Sequence, residues 1–149
     1  MTKNDEIIDL LMDIPTVLCR NMNQQFVNSI LKDIESGFSQ HHFMILKLLN
    51  EKDKLYITEI VKLLGITKPQ MTASVDKLIS LNYILRDDDK KDRRKKYLTI
   101  TKSGIEITNS IIKKINTLIN ENLIHLSDKE INQLKNGLKV LYKFCTTCK

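Results

Sequence analysis

The chain has 149 residues, 42% of them hydrophobic and 28% charged, with 24 basic against 18 acidic side chains. That is the length and composition of one globular domain, while only 4 Gly and 2 Pro exclude an all-β fold rich in tight turns. No run reaches the 18 or more apolar residues of a membrane span, and the opening MTKNDEIIDLLMDIP has neither the basic region nor the small-residue cleavage site of a secretory signal. A mostly α-helical, cytoplasmic protein with an aliphatic core is expected.

Ile7 to Met12 forms a short amphipathic piece. Asp13-Ile14-Pro15 then predicts a helix start, Asp as N-cap and Pro in the first turn, for a helix bearing Val17, Leu18, Met22, Phe26, Ile30 and Leu31. Ser36-Gly37 interrupts the period, and Ser39 caps a second helix with Phe43, Leu46 and Leu49 inward. A short third helix starts near Thr58 and is closed by Gly65. The fourth, 67–81, opens on Thr67-Lys68-Pro69-Gln70, a capping box with Pro in the first turn; its apolar face is Met71, Val75, Leu78 and Ile79.

Asn82 suits the left-handed residue that ends a helix. Tyr83–Arg86 and Lys96–Ile100 read as two strands around the nine charged residues Asp87 to Lys95, a long hairpin. Thr101 caps a fifth helix with Ile105, Ile111, Ile112, Ile115, Leu118 and Ile119 inward, and Ser127 with Glu130 makes a second capping box. The last helix repeats Ile131, Leu134, Leu138, Leu141, Cys145 and Cys148 at alternating steps of three and four, a heptad face.

Charge is concentrated. Residues 54–102 hold 12 basic and 6 acidic side chains, while the remainder of the chain is balanced at 12 and 12. A basic block between neutral ends is the electrostatic footprint of a nucleic-acid contact. Within it, two short helices joined by Leu64-Gly65-Ile66-Thr67 have helix-turn-helix spacing. The second would enter a major groove with its N-terminal residues Thr67, Lys68, Gln70, Thr72, Ala73 and Ser74 leading, and Lys77 one turn beyond. Gln suits adenine, Lys suits guanine or phosphate, and Thr or Ser suits either. The hairpin, from Arg86 to Lys96, would carry Arg93, Arg94, Lys95 and Lys96 into a minor groove, where narrow A·T-rich DNA attracts cations.

The stretch from Ile57 to Gly104 resembles the winged helix-turn-helix of the MarR family. The matching residues are Leu64-Gly65-Ile66-Thr67, Pro69-Gln70-Met71-Thr72, Asp76-Lys77-Leu78, Tyr83-Ile84, Asp89-Lys90-Lys91-Asp92-Arg93-Arg94 and Leu98-Thr99-Ile100-Thr101-Lys102-Ser103-Gly104. The flanking helices match in order. The resemblance implies a mostly α fold with a small β-hairpin, in which helices 1–36 and 103–149 form a homodimer around a winged part at 39–102. It implies Arg94 as the minor-groove tip, braced by Asp92, and Lys68, Gln70 and Thr72 on the major-groove face. Ala73, Asn82 and Lys90 stand where the family usually has Arg, Gly and Pro. It also implies an effector pocket, for which Tyr56 and Phe43 are candidate lining residues, with core packing the preferred reading of both.

Dimer contacts are expected from Val17, Leu18, Ile131, Leu134, Leu138, Leu141 and Cys145, since one small domain cannot easily cover two aliphatic helix faces. Cys19, Cys145 and Cys148 are open to three readings: packing, a redox switch, or metal binding through Cys145-x-x-Cys148. No second such pair or His pair supports the metal, so no metal and no cofactor are expected. His41, His42 and His125 read as solvated or packing residues, and Asp87-Asp88-Asp89 as charge balance for the wing. No nucleophile–base set, phosphate-binding Gly loop or paired acid suggests an enzyme. The expected function is a homodimeric, sequence-specific repressor that binds double-stranded DNA and is released by an aromatic or phenolic small molecule or by a redox signal. The competing expectation is an architectural winged-helix module without an operator.

Overall fold

The computed structural model describes residues 3–21, 30–92 and 94–147, without the side chains of Lys3, Leu18, Cys19 and Asn21. Met22, Phe26, Arg93 and Cys148, assigned parts above, lie outside the described residues. Two compact units divide the chain, Met1–Ile112 and Lys113–Lys149.

In the first unit, α1 (Lys3–Asn21) is one helix with Pro15 inside it. This corrects the expected start at Asp13. Both segments share one helical period, and a helix can survive an internal proline at the loss of one backbone hydrogen bond. Asp5 and Glu6 in the first turn and Arg20 in the last complement the helix dipole. After a turn at Ser36-Gly37, α2 (Gln40–Glu51) begins at Ser39.

A two-residue strand, β1 (Leu55–Tyr56), runs directly into α3 (Ile57–Leu64). Gly65 closes α3 at φ 62°, its N–H donating to the Val61 carbonyl, so the turn uses a conformation that glycine adopts without a Cβ penalty. Next comes α4 (Lys68–Ser80), ended by Asn82 at φ 58°. Strands β2 (Ile84–Asp88) and β3 (Lys96–Ile100) form the hairpin, and β1 adds to its far edge, giving an antiparallel order β1-β3-β2. The expected hairpin is therefore a three-stranded sheet. Ile84 opposes Ile100, Asp88 opposes Lys96 and Tyr56 opposes Tyr97.

The core is aliphatic, as the composition requires. Ile45, Leu46 and Leu49 of α2 are buried with Ile60 of α3, Met71, Val75 and Leu78 of α4, Ile84 and Leu98 of the sheet, and Ile111. Ile79, expected inward, is exposed. α5 (Lys102–Leu123) starts against the sheet. Thr101 Oγ1 accepts from the Gly104 N–H (3.0 Å) and donates to the Asn82 carbonyl (2.8 Å).

In the second unit, α6 (Asp128–Thr147) opens on the expected capping box, Glu130 Oε2 accepting from Ser127 N–H (2.8 Å). The Ser127 hydroxyl, donating to the same oxygen at 2.6 Å, and then this N–H hold the Glu130 carboxyl below its usual range. No described residue of α6 is buried. Ile119 of α5 and Ile131, Leu134 and Leu138 of α6 are exposed, and Leu141 is half-buried. In α1, Ile7, Ile8, Leu10, Met12, Ile14 and Val17 are exposed as well. The inward burial expected of Ile105 and Ile119 is not met, whereas Val17, Ile131, Leu134, Leu138 and Leu141 are expected dimer contacts rather than core.

Candidate nucleic-acid interface

Helix α4 starts on a reciprocal cap. Gln70 Oε1 accepts from the Thr67 N–H (2.9 Å) and from the Thr67 hydroxyl (2.9 Å), and Thr67 Oγ1 accepts from the Gln70 N–H (3.4 Å). Pro69 fits the first turn because no intrahelical partner is needed there. Thr67, Lys68, Gln70, Thr72 and Ala73 are all exposed, as a reading face requires. Thr72 donates its hydroxyl back to the Lys68 carbonyl (3.1 Å), leaving its oxygen as an acceptor.

Two expected members of that face are placed differently. Ser74 is only 6% exposed, because position 74 follows Met71 by three and sides with Val75 and Leu78 on the buried face. Lys77 is half-buried, its ammonium 3.6 Å from the partly exposed Glu35 carboxylate. Gln70, Ala73, Ser74 and Lys77 border a shallow depression against Gly37, His41 and His42.

On the other flank of α4 lies a cavity of about 340 Å³ between α3, α4 and β2. Its apolar floor includes Ile57, Val61, Met71 and Val75, and Lys62, Lys68, Thr72 and Arg86 also line it. Lys68 and Arg86 are thus wall residues of a cavity as well as members of the basic surface. Lys62 was not singled out in the sequence, where it reads as an ordinary solvated lysine.

The wing is a structured turn. Asp89 N–H donates to the Lys95 carbonyl, and Lys95 N–H donates to the Asp92 carbonyl, both at 2.9 Å. Asp89 Oδ1 accepts from the Lys91 N–H (2.8 Å) and the Asp92 N–H (3.3 Å). Asp92 Oδ1 accepts from the Arg94 backbone N–H (3.1 Å), so Asp92 braces the tip through the main chain. Arg94 and Lys95 are exposed, while Lys96 is paired with Asp88 at 2.6 Å.

The base of the wing holds a group the sequence did not reveal. The Tyr56 hydroxyl donates to Asp89 Oδ2 (2.5 Å). That bond, with the Lys91 and Asp92 N–H groups and the Lys54 charge, pulls the Asp89 carboxyl down to about 2. The same bond raises the Tyr56 phenol above its usual range. The Lys54 ammonium sits 3.6 Å from the centre of the Tyr97 ring, which meets Tyr56 edge-on. Tyr56 is not among the residues lining the cavity described above.

His42, read as a solvated or packing residue, is buried, and its Nδ1 accepts from the Ser39 N–H (2.8 Å). Burial, then the charges of His41 and Lys77, keep its pKa below 6.5. Cys145 is exposed and unpaired, whereas the side chains of Cys19 and Cys148 are not described. Among the described residues no group of three or more His, Cys, Asp or Glu could hold a metal, and no helix is long and apolar enough to cross a membrane.

A helix pair with a left-handed glycine turn, a capped and exposed second helix and a three-stranded basic wing together define a winged helix-turn-helix protein. The family model described as MarR family matches residues 38–96. The uncharacterized HTH-type transcriptional regulator YpoP of Bacillus subtilis is 30% identical over 98 residues, 66% of this chain and 69% of that one. The chain belongs to the MarR family, as the motif residues imply. The transcriptional regulator BldR from Sulfolobus solfataricus is similar along 96% of this chain and 99% of its own, at 28% identity and a TM-score of 0.76. FabT of Streptococcus pneumoniae, solved in complex with DNA, shares the fold at 22% identity and a TM-score of 0.72, over 93% of this chain and 99% of its own.

Proposed function

We propose that this chain is a cytoplasmic, homodimeric, sequence-specific DNA-binding repressor of transcription, and not an enzyme. The observation that carries this reading is the exposed N-terminal face of α4, with Thr67, Lys68, Gln70, Thr72 and Ala73, in the same compact unit as a wing that carries exposed Arg94 and Lys95. The reading helix enters the major groove and the wing the adjacent minor groove. Helix N-termini attract phosphate, and cations on the wing respond to the narrow minor groove of A·T-rich DNA. That FabT was solved in complex with DNA supports the same reading.

The exposed apolar residues of α1 and α6 are covered by a second copy of the chain, with 1–36 and 103–149 as the dimerising segments and 39–102 as the DNA-binding part. A two-fold dimer then favours a pseudo-palindrome with half-sites about one DNA turn apart. Release is by an aromatic or phenolic small molecule, supported by the apolar cavity under Lys62, Lys68 and Arg86. A redox signal through Cys19, Cys145 and Cys148 is the second route, supported by the exposure of Cys145.

The test is selection of bound sequences from a random duplex library at about 0.15 M salt, which holds down non-specific phosphate binding. One recovered pseudo-palindrome supports a sequence-specific regulator. Binding without any motif overturns it in favour of an architectural module.

A further inference from the structure

Tyr56 occupies a junction. Its backbone N–H is accepted by Glu59 Oε2 (2.8 Å) at the start of α3, so its main chain belongs to the helix-turn-helix. Its α-carbon pairs with Tyr97 in the sheet. Its hydroxyl crosses 33 positions of sequence to Asp89, which opens the wing turn. From Asp89 the connection continues through the Lys91 and Asp92 N–H groups, and Asp92 in turn accepts the Arg94 N–H.

The ring has contacts of its own. Tyr97 meets it edge-on at 6.4 Å between centroids, and the ammonium groups of Lys54 and Lys95 lie 5.6 and 6.0 Å from its centre. Cations over an aromatic face are attracted by the ring quadrupole. The Lys54 charge also acts on the Asp89 carboxylate that accepts the phenol hydrogen bond. A hydrogen bond to an ionised acceptor is about twice as strong as a neutral one.

We propose that Tyr56 is the positioning residue of the wing: its hydroxyl, bonded to Asp89, ties the turn that carries Arg94 to the helix-turn-helix, so that wing tip and reading helix meet the duplex as one piece. This rests on the DNA-binding reading above. It assigns Tyr56 no contact with DNA. A hairpin with five-residue strands and a long charged turn loses much conformational freedom when it docks, and a tie made before docking removes part of that loss from the binding step.

The variant is Tyr56→Phe, which keeps the ring, its edge contact and its cations and removes only the hydroxyl. Two measurements on the full chain decide it. The first is amide hydrogen exchange without DNA. Exchange at Asp89, Lys91, Asp92 and Arg94 is expected to speed up by about tenfold in the variant while the buried amides of α2 and α4 are unmoved. Unchanged wing exchange overturns the proposal whether or not the chain binds DNA. The second is affinity for the duplex recovered by selection and for the same duplex trimmed of the flanking base pairs the wing would reach. Tyr56→Phe is expected to weaken the long duplex by about tenfold and the trimmed one hardly at all, and to add nothing in an Arg94→Ala background. Equal weakening of both duplexes marks a general structural role and overturns the proposal. A wild-type chain that selects no duplex sinks the DNA reading instead, and the exchange measurement still decides whether Tyr56 fixes the wing.

Discussion

The Gly104 α-carbon lies so close beneath Tyr83 that a Cβ built on it would stand 2.1 Å from the Tyr83 carbonyl oxygen and 2.8 Å from Ile100 Cγ1. The obstacle is main chain on one side and the wing strand on the other. The same carbonyl accepts the Thr101 N–H at 3.0 Å, so it is already fixed by the junction between β3 and α5.

Gly104→Ala is therefore expected to cost about 1–3 kcal/mol, the range for forcing a methyl into a packed site. Urea unfolding of the wild type and the variant measures it. An unshifted midpoint would mean that α5 slides away from Tyr83 without loss.

Arg94→Ala is expected to lower affinity for the selected duplex by about 1–3 kcal/mol and to relax preference at the base pairs the wing reaches. Fluorescence anisotropy over a salt series measures both. An unchanged affinity and salt slope would remove Arg94 from the interface.

Leu138→Asp, on the exposed apolar stripe of α6, is expected to turn a dimer into a monomer by burying an unpaired charge at the contact. Sedimentation of both proteins across a range of concentrations checks this. A wild type that stays monomeric at every concentration would sink the dimer itself.

Stability should fall on the acid side through His42. Its pKa is depressed by burial and by the neighbouring His41 and Lys77 charges, so below pH 6.5 the unfolded chain takes up a proton that the folded chain resists. The stabilisation is full above 6.5 and is lost as pH falls toward and through the lower folded value. Protonation also removes the acceptor that Nδ1 offers to Ser39 N–H. His42→Gln keeps an acceptor at that capping position without titrating. Thermal midpoints from about pH 8 to about pH 5 should drop in the wild type and flatten in the variant. Equal slopes would discard His42 as the source.

Local chemistry was legible in the sequence and distant pairing was not. Thr67 with Gln70, Ser127 with Glu130, Gly65 and Asn82 each declare a helix boundary within a few residues, and the structure uses all of them. The motif from Leu98 to Gly104 was readable because it packs β3, the reading-helix terminus and α5 together over a short stretch of chain. Strand β1 was missed because two residues show no alternation; β3 recruits them. Pro15 was taken for a helix start because that is its commonest helical position. Ser74 was taken for a reader because it is polar, although its register places it with Met71 and Val75. The Tyr56–Asp89 bond spans a whole helix-turn-helix, and no local pattern marks either end of it.

If α4 reads bases as proposed, the cap at its head limits the chemical alphabet of that helix. The Gln70 carboxamide oxygen is held by the Thr67 N–H and hydroxyl, so while that cap is closed only the amide N–H groups remain to meet a base. The two-point pattern that suits adenine needs the oxygen as well as the nitrogen. A capped Gln70 is a pure donor, matched to purine N7, guanine O6 or thymine O4. At this position the same bonds that shape the helix end would decide which letters it can tell apart.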